Sequence, residues 1–209
     1  MLGPASLSLQ QALTSLSLPG LLIDCRPIAD GDEFALLKEE AESMVGSSVE
    51  ARRASGTARI LARDLLARLG FPRCALPKGP TGSPLWPVGI TGSLSHNDGI
   101  AVAAVGSARS FGSIGIDIES AEPLAPDLID LVATAHEQLE IVNDPVRGKL
   151  LFAAKEAVYK AVHPLDGLFL EFHDIEVDLT GHKAVTRNGR AVELLYRIAT
   201  HQMVALARA

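Results

Sequence analysis

The sequence predicts an α+β fold built from two similar halves. Helical and strand-like segments follow one another without the strict alternation that a parallel α/β sheet requires. Each part of the chain has one long helical segment, at residues 48–69 and 147–162, followed by several short strand-like segments. The two sets meet near residues 106–110. We therefore predict an N-terminal half at 1–108 and a C-terminal half at 109–209, related by an internal duplication.

The N-terminal half has weak helical signals within residues 1–20 and then an apolar run at 20–26 that is typical of a strand. The segment 48–69 is the clearest helix of this half. Ser47 with Glu50 three residues later has the pattern of a capping box, and Gly70 and Pro72 are expected to close the helix.

Three arginines of this helix, Arg52, Arg59 and Arg63, fall on one stripe at 3.6 residues per turn. Such a stripe is most often a solvated helix face. The alternative interpretation is a local site for an anion.

A Gly- and Pro-rich loop at 78–87 carries the single Trp of the chain and leads through residues 91–96 to an apolar strand at 99–105. The segment 91–96 contains Ser95 and His96. Their adjacency does not form a Ser–His hydrolase site, because the G-x-S-x-G pattern is absent and adjacent residues do not form a triad. An ordinary loop histidine remains the simpler interpretation.

In the C-terminal half, isoleucine alternates with small or acidic residues over 113–120, which predicts a strand with one buried face. Prolines then interrupt the chain, and Pro164 is expected to end the long helix at 147–162. Asn188-Gly189 is a hairpin-turn signal. Further strands are predicted at 175–179, 184–187, 191–199 and 203–207.

Asp117 and Glu119 are two residues apart on the predicted strand and therefore point to the same side, opposite the isoleucines. Neighbouring carboxylates repel unless a cation or a proton relieves them. Hard oxygen ligands without nearby Cys or His favour Mg²⁺ or Mn²⁺ over zinc. The simpler alternative is an exposed strand edge with two solvated acids.

Composition narrows the class of protein. The chain has 209 residues, 47% of them hydrophobic, with a net charge of -6. This charge gives no global basic field for nucleic acid or an anionic membrane, and the apolar runs are too short to cross a bilayer. Two cysteines, Cys25 and Cys74, are too few for a disulfide framework. With no Lys or Arg before Arg26, we expect no signal peptide and a cytoplasmic protein.

Three motifs stand in order along the chain: Gly92-Ser93-Leu94-Ser95-His96, Gly115-Ile116-Asp117-Ile118-Glu119, and Phe152-Ala153-Ala154-Lys155-Glu156-Ala157-Val158-Tyr159-Lys160. Together they resemble the signature of the 4′-phosphopantetheinyl transferases of the larger bacterial type. The loop from Trp86 to His96 is similar to the enterobactin-synthase component D subgroup. The resemblance covers roughly residues 48–178.

The resemblance implies a monomer of two similar α+β halves related by a pseudo-twofold axis, with coenzyme A in the cleft between them. It implies Mg²⁺-dependent transfer of phosphopantetheine from coenzyme A to a serine of an apo acyl or peptidyl carrier protein. Adenosine 3′,5′-bisphosphate leaves. The subgroup points to siderophore or other secondary-metabolite synthesis.

The resemblance also implies roles for individual residues. Asp117, Glu119 and Glu156 match the family's metal ligands, and Glu156 is also a candidate base, acting directly or through a water. Lys155 and Lys160 match catalytic lysines near the phosphates. The expected coenzyme A contacts are Arg52 (or its neighbour Arg53), Arg59, Lys78, Ser95 and His96.

Two other functions remain open from the sequence. A non-catalytic module of the same fold would bind coenzyme A or a carrier protein without turnover. A Mg²⁺-dependent phosphohydrolase would use the same carboxylates and release inorganic phosphate. Intact acidic and lysine positions in all motifs disfavour the first, and the lack of a further acidic cluster disfavours the second.

Overall fold

A computed structural model describes residues 8–72, 74–97 and 99–209. The predicted α+β class is confirmed: the described residues form two antiparallel sheets and the helices that cover them. The helical signals expected at the start of the chain correspond to α1 at Leu9–Leu16, while residues 1–7 lie outside the described part.

The first sheet has three strands in the order β1-β3-β2, and the long helix α3 packs against it. Its elements are α1 (Leu9–Leu16), β1 (Leu21–Pro27), α2 (Lys38–Glu42), α3 (Val49–Arg68), β2 (Ile90–Asn97), β3 (Ile100–Ser107) and α4 (Ala108–Phe111), with a 3₁₀ turn at Asp32–Ala35.

The second sheet has five strands in the order β4-β8-β7-β6-β5. The long helix α7 covers one face of it. Its elements are β4 (Ile114–Ser120), α5 (Pro126–Val132), α6 (Ala135–Ile141), α7 (Pro145–Asp166), β5 (Ile175–Asp178), β6 (Lys183–Thr186), β7 (Ala191–Ile198) and β8 (Gln202–Arg208), with a 3₁₀ turn at Phe172–Asp174.

A shared apolar core lies between the inner faces of the two sheets. The alternate isoleucines Ile114, Ile116 and Ile118 of β4 enter this core together with Val102 and Ala104 of β3. Because side chains alternate along a strand, the residues between these isoleucines face α7 instead. The hydrophobic pattern of β4 therefore fixes Asp117 and Glu119 on the α7 side of the sheet.

Close contact between α7 and β4 depends on Gly115. A Cβ on this residue would overlap the carbonyl oxygen of Ala157 and lie 2.6 Å from the amide nitrogen of Ala161. The small residues on the facing turn of α7 let the helix approach at backbone distance. This contact brings the side chains of Glu156 and Lys160, which directly precede Ala157 and Ala161 on α7, to the level of Asp117.

Several local predictions are wrong in their details. The N-cap of α3 is Ser48, whose side chain accepts from the Ala51 amide, so Ser47 and Glu50 do not form the predicted capping box. Pro164 lies inside α7, which ends at Gly167 in a left-handed conformation with φ 64°. Since Pro removes only one backbone donor, the last turn continues past it.

Candidate active site

The strands β2 and β4 are the edge strands of their sheets, and they face each other where the two halves meet. Segment 91–96 resembles a loop in the sequence, but in the structure it lies within strand β2. Alternate side chains of β2 reach across to β4. The Ser93 hydroxyl accepts from the Ile116 amide (3.0 Å), and the Ser95 hydroxyl donates to Asp117 Oδ1 (2.7 Å).

Asp117 is the centre of the polar cluster at this junction. It is 3% exposed, which excludes the interpretation of a solvated strand edge. Lys160 Nζ donates to Asp117 Oδ1 (2.6 Å), to Ser95 Oγ (3.1 Å) and to the Ile116 carbonyl (3.3 Å). Asp117 Oδ2 is buried and accepts no hydrogen bond from the described residues. A buried carboxylate oxygen without a donor has the chemistry of a site for a cation.

Glu119 lies beside this cluster and is held by two other residues. Asn97 Nδ2 donates to its Oε2 at 3.2 Å, and Lys149 Nζ forms an ion pair with the same oxygen at 3.0 Å. Desolvation raises the pKa of the Glu119 carboxyl, and the hydrogen bond from Lys149 opposes that rise. Neither Asn97 nor Lys149 was a sequence-predicted site residue.

Glu156 is half-buried on α7 and lines the cleft described below. Desolvation raises the pKa of its carboxyl; Lys160 lowers it, and the negative charges of Asp117 and Glu119 raise it further. A carboxyl with a raised pKa is a better base near neutral pH than an ordinary one.

The three carboxylates do not form a ready metal cage. Within residues 8–72, 74–97 and 99–209, no three His, Cys, Asp or Glu side chains are grouped so that they could hold a metal ion. The ammonium groups of Lys160 and Lys149 neutralise two of the acids instead. The carboxylate oxygens of Asp117, Glu119 and Glu156, including the unpaired Asp117 Oδ2, are of the chemical type that a hard cation prefers. That these three residues bind a metal stays a prediction.

A cleft of about 790 Å³ runs along this junction. This volume lies in the range of sites for cofactor-sized ligands. Residues of both halves line the cleft. Its basic lining residues are Arg59, Lys78, His96, Lys160 and His163, and its one acidic lining residue among those described is Glu156. Trp86 and Tyr159 add aromatic side chains to the walls.

The predicted phosphate contacts of the N-terminal half are only partly brought to the cleft. Arg59 is 3% exposed; it bonds the Leu76 carbonyl and Ser55, and its second terminal nitrogen has no described partner. Arg52 is not among the residues that line the cleft, and Arg53 is held by Asp30 and Glu33. Arg53 is therefore engaged by acidic residues, and a contact of Arg52 with a phosphate stays a prediction.

Lys78 and His96 are exposed residues that both line the cleft. Although His96 is exposed as a whole, the surrounding protein desolvates its ring enough to lower the pKa of the imidazole. Lys160 and Lys78 lower it further against the charge of Asp117.

The structure does not bring Lys155 to the polar cluster. Its side chain is 0% exposed and donates to Glu137 Oε2 (2.6 Å), the Val132 carbonyl (2.8 Å) and the Phe172 carbonyl (2.9 Å). The ammonium is thus fully buried, and Lys155, unlike Lys160, is not among the residues that line the cleft. The prediction of a catalytic Lys155 is corrected on this ground: the residue ties α5, α6 and the 172–174 turn to α7.

A second cavity of about 480 Å³ adjoins the same helix. It shares Glu156 and Tyr159 with the cleft, and its other walls include Phe169, Leu170 and Phe172. Glu156 thus stands between a cation-lined cleft and a mostly apolar cavity, whose walls also include Asp130, Lys155 and Glu171.

Two family models match the chain, one in each half. A family model described as the 4′-phosphopantetheinyl transferase N-terminal domain matches residues 39–106. A second, the 4′-phosphopantetheinyl transferase superfamily, matches residues 113–206. The chain belongs to this superfamily, which confirms the resemblance found in the sequence.

Individual relatives carry corresponding names. The chain is 41% identical over 140 residues to 4′-phosphopantetheinyl transferase Npt of Nocardia iowensis, covering 65% of this chain and 63% of the relative. It is 36% identical over 153 residues to 4′-phosphopantetheinyl transferase PptT of Mycobacterium tuberculosis, covering 69% and 67%. Enterobactin synthase component D of Salmonella typhimurium is 38% identical over 109 residues, covering 49% and 44%.

The matched segment thus spans less than two thirds of the Nocardia relative. None of the described helices is both long and apolar enough to span a bilayer.

Proposed function

We propose that this protein transfers the 4′-phosphopantetheine group of coenzyme A to a serine hydroxyl of an apo acyl or peptidyl carrier protein. The observation that carries the proposal is the cleft of about 790 Å³ in which cationic side chains from both halves converge beside Glu156. Coenzyme A is a polyanion, so a locally cationic cleft on a chain of net charge -6 suits it. The names of the relatives support the same substrate class.

In the proposed reaction, the serine oxygen attacks the phosphorus that carries the pantetheine arm, and the bond to the adenosine-side phosphate oxygen breaks. Glu156 accepts the serine proton, directly or through a water, and adenosine 3′,5′-bisphosphate leaves. Lys160 lies where its ammonium offsets negative charge on the diphosphate. Arg59, Lys78 and His96 hold the other phosphates, and the apolar cavity beside Glu156 takes the neutral pantetheine arm.

Asp117, Glu119 and Glu156 are the residues that would hold Mg²⁺ or Mn²⁺, and the unpaired Asp117 Oδ2 supports this choice. Such a cation supplies charge neutralisation to the diphosphate. We further propose that one chain suffices, because one chain supplies both walls of the cleft, and that the protein acts in the cytoplasm. The division at 1–108 and 109–209 and a role in siderophore or other secondary metabolism belong to the same proposal.

The test is incubation with a purified apo carrier protein, coenzyme A and Mg²⁺, followed by intact-mass measurement of the carrier. The expected result is a gain of one phosphopantetheine on serine, and no gain in a parallel incubation that contains EDTA. Coenzyme A binding without any gain on several unrelated carriers would favour a non-catalytic binding module of the same fold. Release of inorganic phosphate without a carrier would favour a phosphohydrolase.

A further inference from the structure

The backbone segment that carries Lys78 to the cleft is held by the buried carboxylate of Glu40. Glu40 lies in α2, is 0% exposed and does not itself line the cleft. Its Oε1 accepts from the amide of Leu76 at 2.8 Å, just ahead of Lys78 in the chain. Its Oε2 accepts from the amide of Leu37 at 2.8 Å, and both oxygens accept from Arg63 Nη1 at 2.8 Å. Glu40 therefore joins α2, α3 and the segment before Lys78 at one buried charge.

Leu76 connects this carboxylate to Arg59. The Leu76 carbonyl accepts from Arg59 Nε at 2.8 Å, while its amide donates to Glu40. Arg59 is 3% exposed and lines the cleft, and its Nη2 has no hydrogen-bond partner among the described residues. A buried guanidinium N–H without an acceptor indicates a place for an anion from outside the chain. The position of this guanidinium thus depends on a backbone that Glu40 holds.

A second contact holds the same segment from the end of α2. The hydroxyl of Ser43, the C-cap residue of α2, accepts from the amide of Lys78 at 3.2 Å. Ser47, a few residues further on, lines the cleft together with Lys78. The stretch from Glu40 to Ser47 therefore braces residues 76–78 and also forms part of the cleft wall.

The negative charge of Glu40 also acts on Arg59. Burial lowers the pKa of the Arg59 guanidinium, Glu40 opposes that effect, and Arg63 adds to it. Two arginines in a buried setting need a counterion, since a buried charge without one is costly. The same negative charge also reduces the attraction of Arg59 for a phosphate. Removal of the Glu40 charge would therefore strengthen phosphate binding if charge alone mattered, and weaken it if geometry matters more.

We propose that Glu40 is a positioning residue that holds Arg59 and Lys78 where they bind the 3′-phosphate of coenzyme A. The inference rests on the proposed function, which supplies the identity of the ligand. The 3′-phosphate is the terminal phosphate of coenzyme A, and its oxygens can accept from an arginine and a lysine together. The diphosphate lies at Lys160 in the same proposal. Loss of Glu40 should therefore weaken the contact with one phosphate and leave the rest of the ligand bound as before.

The experiment measures the Kd of coenzyme A and of 3′-dephospho-coenzyme A by calorimetry, without a carrier protein. For Glu40→Gln we expect coenzyme A to bind about tenfold more weakly, as for loss of one hydrogen bond between charged groups. The Kd of 3′-dephospho-coenzyme A should change less than about twofold, because this ligand lacks the phosphate. In the carrier assay KM for coenzyme A should rise while kcat stays within about twofold, because the lost contact is present in both ground state and transition state.

Glu42→Gln is the matched control. It removes the same charge from α2, but the Glu42 side chain is 65% exposed and faces Lys38 at 4.0 Å. Both Kd values should stay at their wild-type levels in this variant, because Glu42 holds no part of the 76–78 segment.

Other outcomes overturn the inference. Tighter binding of coenzyme A by Glu40→Gln would show that the acid acts on the phosphate through its charge alone. Equal weakening of both ligands, or of neither, would make Glu40 a residue of the fold only. If Glu40→Gln does not fold, Ser43→Ala tests the same segment: about threefold weaker binding of coenzyme A alone supports the inference, and wild-type affinity for both ligands refutes it. Carrier modification by the wild-type protein is measured separately, so absence of turnover with coenzyme A still bound refutes the transferase and not the role of Glu40.

Discussion

Replacing Lys155 by Met distinguishes a structural from a catalytic lysine. The substitution keeps most of the apolar stem and removes the ammonium, which makes hydrogen bonds of 2.6, 2.8 and 2.9 Å. Glu137 then remains in a site where its side chain is 2% exposed. It keeps the amides of Val177 and Thr134 as donors and loses its counterion.

The expected cost follows from this geometry. Breaking a buried ion pair by removing one partner costs about 3–5 kcal/mol because an uncompensated charge stays behind. Desolvation lowers the pKa of the Lys155 amine, with Glu137 opposing it, so burial at this site disfavours a lone charge. A domain stable by about 5–15 kcal/mol would lose a large part of its stability.

The assay is urea-induced unfolding followed by far-ultraviolet circular dichroism. Lys183→Met is the matched control, because Lys183 forms an exposed pair with Asp178 at 3.5 Å and should cost less than about 1 kcal/mol. A double variant, Lys155→Met with Glu137→Gln, should regain about 1–3 kcal/mol over the single variant, because the buried charge is gone. A Lys155→Met protein as stable as the control but inactive would refute the structural role and restore the catalytic one.

Three further predictions concern other parts of the molecule. Glu156→Gln should lower carrier modification by about 10²-fold or more with an unchanged melting temperature, and wild-type rates would exclude Glu156 as the base. Gly115→Ala should destabilise by about 3 kcal/mol in urea unfolding, because its Cβ meets the α7 backbone; a cost near zero would contradict that contact. Hydrogen bonds from Arg190 hold the pKa of Asp166 at about 2, below its ordinary 3.8. The stability from this carboxylate is therefore present above pH 3.8 and lost as the pH falls through about 2. Asp166→Asn should melt lower than wild type near neutral pH and equally near pH 2; a constant difference would refute the linkage.

The sequence predicted those elements whose patterns are strong over several residues. The alternation at 113–120 located β4 and the side on which Asp117 lies, and the long periodic segments located α3 and α7. Strand β2 was missed because Gly and Ser have little strand propensity, and its strand character depends on pairing with β3.

Prolines and long-range pairs account for other errors. The prolines that follow β4 predict an interruption of the chain, yet Pro126 occupies the first position of α5, where its missing N–H costs nothing. The arginine stripe of α3 was predicted as one surface, but Arg63 pairs with fully buried Glu40 and Arg59 is itself buried. The burial of Lys155 depends on Glu137, 18 residues away, and no local pattern marks that pairing.

Among the site residues that sequence reasoning missed, Asn97 had a usable signal. It stands two residues after Ser95, so a strand assignment for 90–97 would have placed both on the face that meets β4. Lys149 lies two helical turns before Glu156 on α7, but helical spacing alone does not distinguish it from a surface lysine.

The central claim is that the cleft between the halves binds coenzyme A with its diphosphate at Lys160 and Glu156. A crystal structure of the protein with coenzyme A tests it most directly. The account predicts the diphosphate within hydrogen-bonding distance of Lys160, and at least one other phosphate near Lys78, His96 or the unpaired nitrogen of Arg59. Coenzyme A bound elsewhere, for example in the open cavity beside His182 and Arg208, with the cleft empty, would contradict it.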